Sequence, residues 1–349
     1  MITYHLIAVP IFLIVFAQAS EDIYEDNLTG DEFIAAINAR AKTWIAGSNP
    51  MPEPVYMTNV AEPSTADLAL LDTDDELPWE LLRNGISVDL PESFDARDHW
   101  PECPSLTQIR NQGCCGSCYA TAVAAAMTDR WCIHSNGTQQ FTFSTQDVTS
   151  CCPTCGDCTT GYPYRVLLHW KQHGFVSGGE YNSEQGCRPY EVGQCKAGEP
   201  DPEQLECVEQ CREGHPASYM DDKRFASRVY KVVEDEQMIR LNLFSRGPLS
   251  TRFEIYNDFL SYKQGVYQYT FGRHRGSHIV KLIGWGEENG VLYWLCANSW
   301  GPNYGERGFF KILRGVNHLG IEAQVFGGIP RYVSPDLSTV MGWTIDVQD

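Results

Sequence analysis

Hydrophobic and polar residues follow a helical period in the first half of the chain. Across residues 31–47 apolar side chains recur every three to four positions, which predicts one amphipathic helix ended by a glycine. Residues 120–127 are Ala-rich and almost wholly apolar, which is typical of a helix buried on all sides. Further helical patterns cover residues 144–150 and 163–173. Because a lone amphipathic helix needs a surface for its apolar face, we expect residues 31–47 to cover another part of the chain.

The pattern changes from helices to strands in residues 248–329. Residues 283–286 and 291–294 flank the pair Asn289-Gly290, which favours the tight turn of a β-hairpin. Residues 309–313 are another strand candidate. Helices followed by antiparallel strands indicate an α+β fold in two halves.

The first 20 residues predict a secretory signal peptide. An apolar run, residues 6–16, precedes the small-residue pattern Ala17-Gln18-Ala19, although no Lys or Arg lies before the run. The run is too short to span a bilayer, and no other segment approaches that length. We therefore expect residues 1–19 to be the signal peptide and the mature chain to have no membrane span.

The cysteine content agrees with export from the cytosol. The 14 cysteines of the chain suit an oxidising compartment, where disulfides persist. Glycosylation sequons begin at Asn27 and Asn136. We expect the protein to enter the secretory pathway and to end in a lysosome-like vesicle or outside the cell.

The net charge of −19 is concentrated near the amino terminus. Residues 21–89 contain 15 acidic and 3 basic residues, which suggests a separate unit that responds to acid. From residue 90 onward the composition is that of a globular domain. No basic stripe is present, so a nucleic acid partner is not expected.

Three separated residues have the types needed for nucleophilic catalysis by a thiol. Cys118 directly precedes the Ala-rich helical stretch, where the positive end of a helix favours a thiolate. His278 and Asn298 follow far downstream and supply a base and a residue to orient it. The sequence thus predicts a cysteine nucleophile with a His–Asn pair.

Several motifs resemble the papain-like cysteine proteases, and the cathepsin B subgroup in particular. The nucleophile motif reads Cys115-Gly116-Ser117-Cys118-Tyr119. Residues 90–97, 186–190, 284–286 and 308–315 are similar to other cathepsin B motifs, and residues 42–47 to its short propeptide. The resemblance implies a helical left domain and an antiparallel β-barrel-like right domain with the active-site cleft between them. It also implies a propeptide over residues 20–89 and a protease domain over residues 90–330, with residues 331–349 as a tail of unassigned role.

The resemblance also implies roles for individual residues at the matching positions. Gln112 would help Cys118, His278 and Asn298 in catalysis by stabilising the oxyanion. Substrate-binding roles fall on Gly116, Gly161, Pro163, Arg252, Ser277, Ile279, Trp300 and Gln324. Gln324 stands where the subgroup has a glutamate, so preference for a basic substrate residue should fall. Arg252 would favour an acidic or polar residue if its side chain points inward and an apolar one if it points outward.

The subgroup's disulfide pattern implies five bridges in this chain. These would join Cys103 to Cys132, Cys115 to Cys158, Cys151 to Cys207, Cys152 to Cys155, and Cys187 to Cys211. The subgroup's partner for Cys195 is absent here, Cys114 is free or pairs in an unforeseen way, and Cys296 is a buried apolar residue. The cluster at residues 151–158 could instead suggest zinc, but disulfides fit an exported chain better, and no metal or cofactor is expected.

One loop departs from the subgroup. Residues 196–206 correspond to a loop whose two histidines hold a substrate carboxylate in cathepsin B, but here the loop is short, acidic and lacks histidine. We therefore expect endopeptidase activity, an acyl-enzyme intermediate, and weak or absent dipeptidyl carboxypeptidase activity. The alternative is a catalytically impaired, protease-like binding protein. Expected partners are peptide and protein substrates, the chain's own propeptide and cystatin-type inhibitors, with acid loosening the propeptide by protonating carboxylates.

Overall fold

The computed structural model describes residues 28–49, 59–60, 62–72, 89–195 and 204–332. The predicted signal peptide, the first sequon residue Asn27, residues 196–203 of the acidic loop and the tail from residue 333 lie outside the described residues. None of the described helices is long and apolar enough to cross a membrane.

Eight α-helices and eleven strands are found in the described part of the chain. The helices are α1 (Gly30–Arg40), α2 (Thr65–Leu68), α3 (Ala96–His99), α4 (Cys118–His134), α5 (Thr145–Cys151), α6 (Pro163–Gln172), α7 (Tyr219–Asp222) and α8 (Glu236–Arg246). The strands are β1 (Trp44–Ala46), β2 (Asn59–Val60), β3 (Phe94–Asp95), β4 (Thr160–Gly161), β5 (Ala226–Lys231), β6 (Leu249–Tyr256), β7 (Tyr262–Tyr267), β8 (His274–Glu288), β9 (Val291–Ala297), β10 (Phe309–Leu313) and β11 (Val325–Pro330). The predicted order of helices first and strands afterwards is confirmed.

The strands of the second half form one mainly antiparallel sheet. Its order is β1-β7-β10-β9-β8-β6-β11-β5, and β3 pairs with β8. The predicted hairpin is β8–β9, and both turn residues have positive φ, 52° at Asn289 and 79° at Gly290, as the tight turn requires. The pair β7–β10 is parallel, a crossing that the sequence did not predict.

Helix α4 lies at the centre of the molecule, and all but one of its residues are buried. It belongs to the apolar core of the helical half, which also contains Phe143, Tyr164 and Trp170. Arg130, near its end, donates hydrogen bonds to the backbone carbonyls of Pro248, Gly247 and Gly328 in the sheet half. The helix therefore fixes the two halves of the fold relative to one another.

The amino-terminal helix is shorter than the sequence predicted. Residues 30–40 are helical, but the chain then turns and residues 44–46 form β1 at the edge of the sheet, antiparallel to β7. Trp44 is buried there, and its indole nitrogen donates to the carbonyl of Gln268 at 2.9 Å. Because pairing with an open sheet edge satisfies the backbone of these residues, tertiary contacts override their helical pattern.

Six disulfides account for twelve of the fourteen cysteines, all of which lie in described residues. Five of them join the pairs implied by the resemblance. The four cysteines of residues 151–158 are all in disulfides, which excludes their use as thiolate ligands for zinc. The sixth bridge joins Cys114 to Cys195, a pairing that the sequence analysis left open. Cys118 and Cys296 are in no disulfide, and Cys296 is buried as expected.

Candidate active site

The candidate nucleophile, Cys118, is the first residue of α4 and is buried. Its position at the positive end of the helix favours the thiolate form of the sulfur. The hydroxyl of the preceding residue, Ser117, lies 2.8 Å from the phenol oxygen of Tyr190. The start of the helix is therefore connected to a second loop of the helical half.

The candidate base, His278, lies on β8 and is also buried. Its Nε2 is 2.8 Å from Oδ1 of Asn298, and the indole of Trp300 stacks on the imidazole with ring centroids 4.7 Å apart. Its Nδ1 is buried and has no hydrogen-bond partner within the described residues. Asn298 thus orients the ring through one nitrogen and leaves the other to exchange a proton.

Burial lowers the pKa of His278 to about 4, and the hydrogen bond with Asn298 opposes this shift only in part. An imidazole with so low a pKa is neutral near pH 7. The charged imidazolium that would accompany a thiolate is therefore disfavoured while the site is covered.

A buried ion pair sets the position of the nucleophile helix against the strand of the base. Nζ of Lys281, three residues after His278 on β8, lies 2.6 Å from Oδ2 of Asp129 on α4, and both side chains are almost wholly inaccessible. Removing one partner of such a pair typically costs about 3–5 kcal/mol, because the other charge is left buried and unpaired. The helix carrying Cys118 and the strand carrying His278 are thus joined directly across the two halves.

Both atoms of the side-chain amide of Gln112 make hydrogen bonds near the start of α4. Its Nε2 donates to the carbonyl of Cys115 at 3.0 Å, and its Oε1 accepts from Oγ of Ser299 at 2.7 Å. Ser299 adjoins Asn298, so Gln112 connects the nucleophile loop with the loop that orients the base.

The amino-terminal residues of the chain cover the site. Strand β2 pairs in parallel with β4, so that Val60 lies opposite Gly161. The backbone nitrogen of Val60 donates to Oγ of Ser277 at 3.0 Å, one residue before the candidate base. The Val60 side chain is buried in the same apolar cluster as Cys118 and Ile279. Residues 59–60 therefore run between the two halves, over the candidate nucleophile.

Three of the predicted substrate-binding residues form one row across the sheet. Arg252 on β6 lies opposite Ile279 on β8. Val325 pairs with Thr251, so Gln324 occupies the next position of that ladder, beside Arg252. Since facing residues in adjacent antiparallel strands share a face, the three side chains lie on the face that carries Ile279 towards Cys118.

The charge of Arg252 is already bound within the chain. Its Nη2 lies 2.5 Å from Oε1 of Glu254, whose other oxygen is 2.6 Å from Nε2 of His274. Gln324 is buried, and its Oε1 has no hydrogen-bond partner among the described residues. The row thus combines an apolar side chain, a neutral amide and a guanidinium held by a carboxylate.

The remaining predicted residues have mainly backbone contacts. Gly116 donates its backbone N–H to the carbonyl of Cys158 at 2.8 Å, and Pro163 is a buried residue at the start of α6. Sequence reasoning missed Val60, Tyr190 and Glu254. Val60 lies between Pro-rich and acidic stretches, and no local pattern distinguishes it from its neighbours.

Comparison with known proteins agrees with this geometry. Residues 90–329 match the sequence profile of the papain family cysteine proteases. The chain belongs to the papain family of cysteine proteases. Within that family it is similar to cathepsin B-like cysteine proteinase 5 of Caenorhabditis elegans, with 38% identity over 322 residues that cover 87% of this chain and 91% of that protein. Cathepsin B-like cysteine proteinase 3 of the same organism is 40% identical over 302 residues, which cover 84% of this chain and 81% of that protein.

A solved proform structure extends the likeness beyond the protease domain. The structure of proCathepsin B S9 from Trypanosoma congolense has a TM-score of 0.75 and 30% identity, and the match covers 87% of this chain and 99% of that one. The papain-like fold and the class of enzyme, a cathepsin B-like cysteine peptidase, are thereby confirmed. The likeness to a proform supports propeptide inhibition in this chain.

Proposed function

We propose that this papain-family protein is a cysteine endopeptidase made as a zymogen. The observation that supports it most is the placement of Cys118 at the start of α4, with His278 oriented by Asn298 and Val60 buried in the same apolar cluster as Cys118. In this proposal residues 20–89 are the propeptide and residues 90–330 the protease domain.

The proposed reaction uses the thiolate of Cys118 and protonated His278. The sulfur attacks the peptide carbonyl carbon, and the carbonyl oxygen becomes an oxyanion that accepts hydrogen bonds from the Gln112 side chain and the Cys118 backbone N–H. His278 then gives its proton to the leaving amine, and an acyl-enzyme forms. Neutral His278 takes a proton from water, the resulting hydroxide attacks the acyl carbon, and the acid product leaves the thiolate of Cys118 beside protonated His278. Asn298 and Trp300 keep the imidazole in the orientation that these transfers need.

Labelling of the thiol tests this mechanism. After removal of the propeptide, a peptidyl epoxide should alkylate Cys118 and abolish cleavage of an internally quenched peptide, and Cys118→Ala should abolish both. Cys296 is the internal control, because burial raises the pKa of its thiol and keeps it protonated. Binding of peptides without labelling or cleavage would favour the alternative, a catalytically impaired binding protein.

We further propose that the enzyme cleaves within chains rather than removing carboxy-terminal dipeptides. Residues 196–206 contain four acidic residues and no histidine, and acidic side chains repel a substrate carboxylate. Paired quenched peptides that differ only by a carboxy-terminal amide test this. We expect similar kcat/KM for the two, and a strong preference for the free acid would refute the proposal.

The substrate pocket beside Ile279 is proposed to prefer an apolar branched residue over a basic one. The burial of Val60 in the same apolar cluster as Ile279 supports this, as does the amide at Gln324, which offers no charge to a basic side chain. Because Glu254 holds the guanidinium of Arg252, we expect Glu254→Gln to release it and to raise kcat/KM for peptides with an acidic residue there by about ten-fold. Gln324→Glu is the matched variant and should raise acceptance of arginine instead.

The setting of the enzyme is also proposed. Six disulfides support folding in the secretory pathway, with a lysosome-like vesicle or the extracellular space as destination. Asn136 is exposed and suits glycosylation. Cystatin-type proteins remain expected inhibitors; inhibition of the activated enzyme by such a protein, with loss of Cys118 labelling, tests this.

A further inference from the structure

Two loops beside the nucleophile are joined by the disulfide that the sequence did not predict. The nucleophile loop, residues 110–117, carries Gln112 and leads into α4. The supporting segment, residues 190–195, lies against it: Cys114 is bonded to Cys195, and the backbone N–H of Cys114 donates to the carbonyl of Gly193 at 2.9 Å. A covalent bond and a backbone hydrogen bond thus meet at one residue of the nucleophile loop.

The contact between these loops is backbone against backbone. Gly113 has a φ of +59°, and a Cβ at this position would lie 2.4 Å from the carbonyl oxygen of Gly193. No side chain fits there, so the loops are as close as the chain permits. A shift of the supporting segment would therefore move the nucleophile loop.

Tyr190 connects the supporting segment to both functional ends of the nucleophile loop. Its buried hydroxyl donates to the carbonyl of Gln112 at 2.8 Å and lies 2.8 Å from Oγ of Ser117, the residue directly before the helix of Cys118. Burial raises the pKa of Tyr190, so the phenol keeps the proton that it donates. One side chain thereby spans the distance from the oxyanion group to the nucleophile.

The neighbouring disulfide holds the opposite side of the same loop. Cys115 is bonded to Cys158, two residues before strand β4. Adjacent residues of the nucleophile loop are therefore tied in two directions, to the supporting segment and to the strand on which the propeptide lies. An oxyanion site must be held within a fraction of an ångström of its productive geometry, and such ties supply that rigidity.

We propose that Tyr190 and the Cys114–Cys195 disulfide are positioning groups that hold Gln112 and Cys118 in the arrangement that stabilises the oxyanion. The inference rests on the proposed function and adds to it the residues that fix the oxyanion site. Loss of these groups should affect two properties unequally. It should weaken stabilisation of the oxyanion strongly and change the ionisation of the Cys118 thiol little.

Two variants of the full chain test it after activation, Tyr190→Phe and the double variant Cys114→Ser with Cys195→Ser. We expect kcat on an internally quenched peptide to fall about ten-fold in each, with less than about a two-fold change in KM. Affinity for a peptide aldehyde, whose adduct carries an oxyanion-like oxygen, should fall by a similar factor. Alkylation of Cys118 by iodoacetamide forms no oxyanion and should keep its rate within about two-fold.

The matched control is the double variant Cys103→Ser with Cys132→Ser, which removes a bridge at the far end of α4. It should lower Tm while leaving kcat and aldehyde affinity unchanged below the transition. Unchanged kcat and aldehyde affinity in Tyr190→Phe would overturn the proposal, even if the double variant failed to fold. An equal fall in the alkylation rate would also overturn it. Failure of the proposed function itself is distinct, because the unaltered enzyme would then neither cleave nor be labelled.

Discussion

The two described ends of the proposed prosegment, residues 28–49 and residues 62–72, contact the rest of the chain in different ways. The first end is held by apolar and backbone contacts. Strand β1 extends the sheet at β7, and the indole of Trp44 packs against Tyr262 and Tyr267 with ring centroids 6.2 and 5.1 Å away. Asn49 adds two hydrogen bonds from its side-chain nitrogen to backbone carbonyls. None of these groups titrates between pH 4 and 8.

The second end is held by charges. Nζ of Lys171 lies 2.6 and 2.8 Å from the two carboxylate oxygens of Asp72, whose Oδ2 also accepts from the backbone N–H of Val229 at 2.8 Å. Asp67 lies 3.7 Å from Arg165. These groups are partly exposed, so their attraction is screened by salt.

The carboxylates of the charged end do not make the prosegment sensitive to mild acid. Hydrogen bonds with Ser64 lower the pKa of Asp67, and those from Lys171 and Val229 lower that of Asp72 despite its partial burial. A lowered carboxylate pKa keeps the contact intact until the pH falls below the ordinary value near 4, so these two carboxylates do not respond at pH 5. The expected trigger, protonation of carboxylates, is therefore not supported at Asp67 or Asp72. His278, which lies next to the hydrogen-bond partner of Val60 between the two ends, can respond near pH 5. Burial lowers its pKa, so its protonation in acid favours the open state.

The largest expected effect concerns the apolar end. Trp44→Ala should weaken docking of residues 28–49 by about 3 kcal/mol, since it removes a buried indole and leaves a cavity between two tyrosines. Hydrogen exchange of the amides of β1, measured in a Cys118→Ala zymogen, reports this directly. The neighbouring Ile45 is half exposed, and Ile45→Ala is the matched control with an expected effect below about 0.5 kcal/mol. Equal effects of the two variants would remove the distinction between the two ends.

The next effect depends on pH. The pKa of His278 is about 4 in the closed state against an ordinary 6.5, so the closed state is penalised as the pH falls from about 6.5 towards 4. Between pH 7 and pH 5 the free energy of prosegment opening should fall by about 2 kcal/mol.

Hydrogen exchange at Val60 in the Cys118→Ala zymogen measures this opening. The same zymogen carrying His278→Gln should lose most of the pH dependence, because no group under the strand then takes up the proton. Retention of the full dependence in that variant would exclude His278 as the sensor.

The sequence predicted what depends on local pattern or on motif. Helix α4, the hairpin at Asn289-Gly290 and five disulfides follow from periodicity, turn chemistry or family resemblance. It did not predict that Trp44 lies on a strand, because the decisive partner, the edge of β7, is more than two hundred residues away. The sixth disulfide was not predicted for the same reason, although the implied pattern left three cysteines, Cys114, Cys195 and Cys296, unassigned. Contacts across the two halves are set by the assembled fold rather than by neighbours in sequence.

A smaller effect is expected at the hydrogen bond in the middle of the prosegment. Ser277→Ala removes the acceptor of the Val60 N–H and leaves a buried donor unpaired, which should destabilise the closed state by about 1 kcal/mol. Exchange of the Val60 amide in the Cys118→Ala zymogen should quicken about five-fold. Ser245→Ala is the control, since that hydroxyl only bonds within its own helix at Leu241. No change at Val60 would mean that water replaces the lost acceptor.

The smallest effect is expected at the charged end. Asp72→Asn keeps the shape and one acceptor oxygen for Val229 but removes the attraction to Lys171, so docking of residues 62–72 should weaken by about 0.5 kcal/mol. The ion pair is partly exposed, so salt should screen it. The difference in docking free energy between Asp72→Asn and the parent should therefore shrink at 0.5 M salt, where the Debye length is about half its value at physiological ionic strength. Glu62→Gln, at an exposed residue, controls for the change in net charge. A loss at Asp72 as large as that at Trp44, or one insensitive to salt, would show that both ends depend on buried contacts and that the charged end is not the weaker of the two.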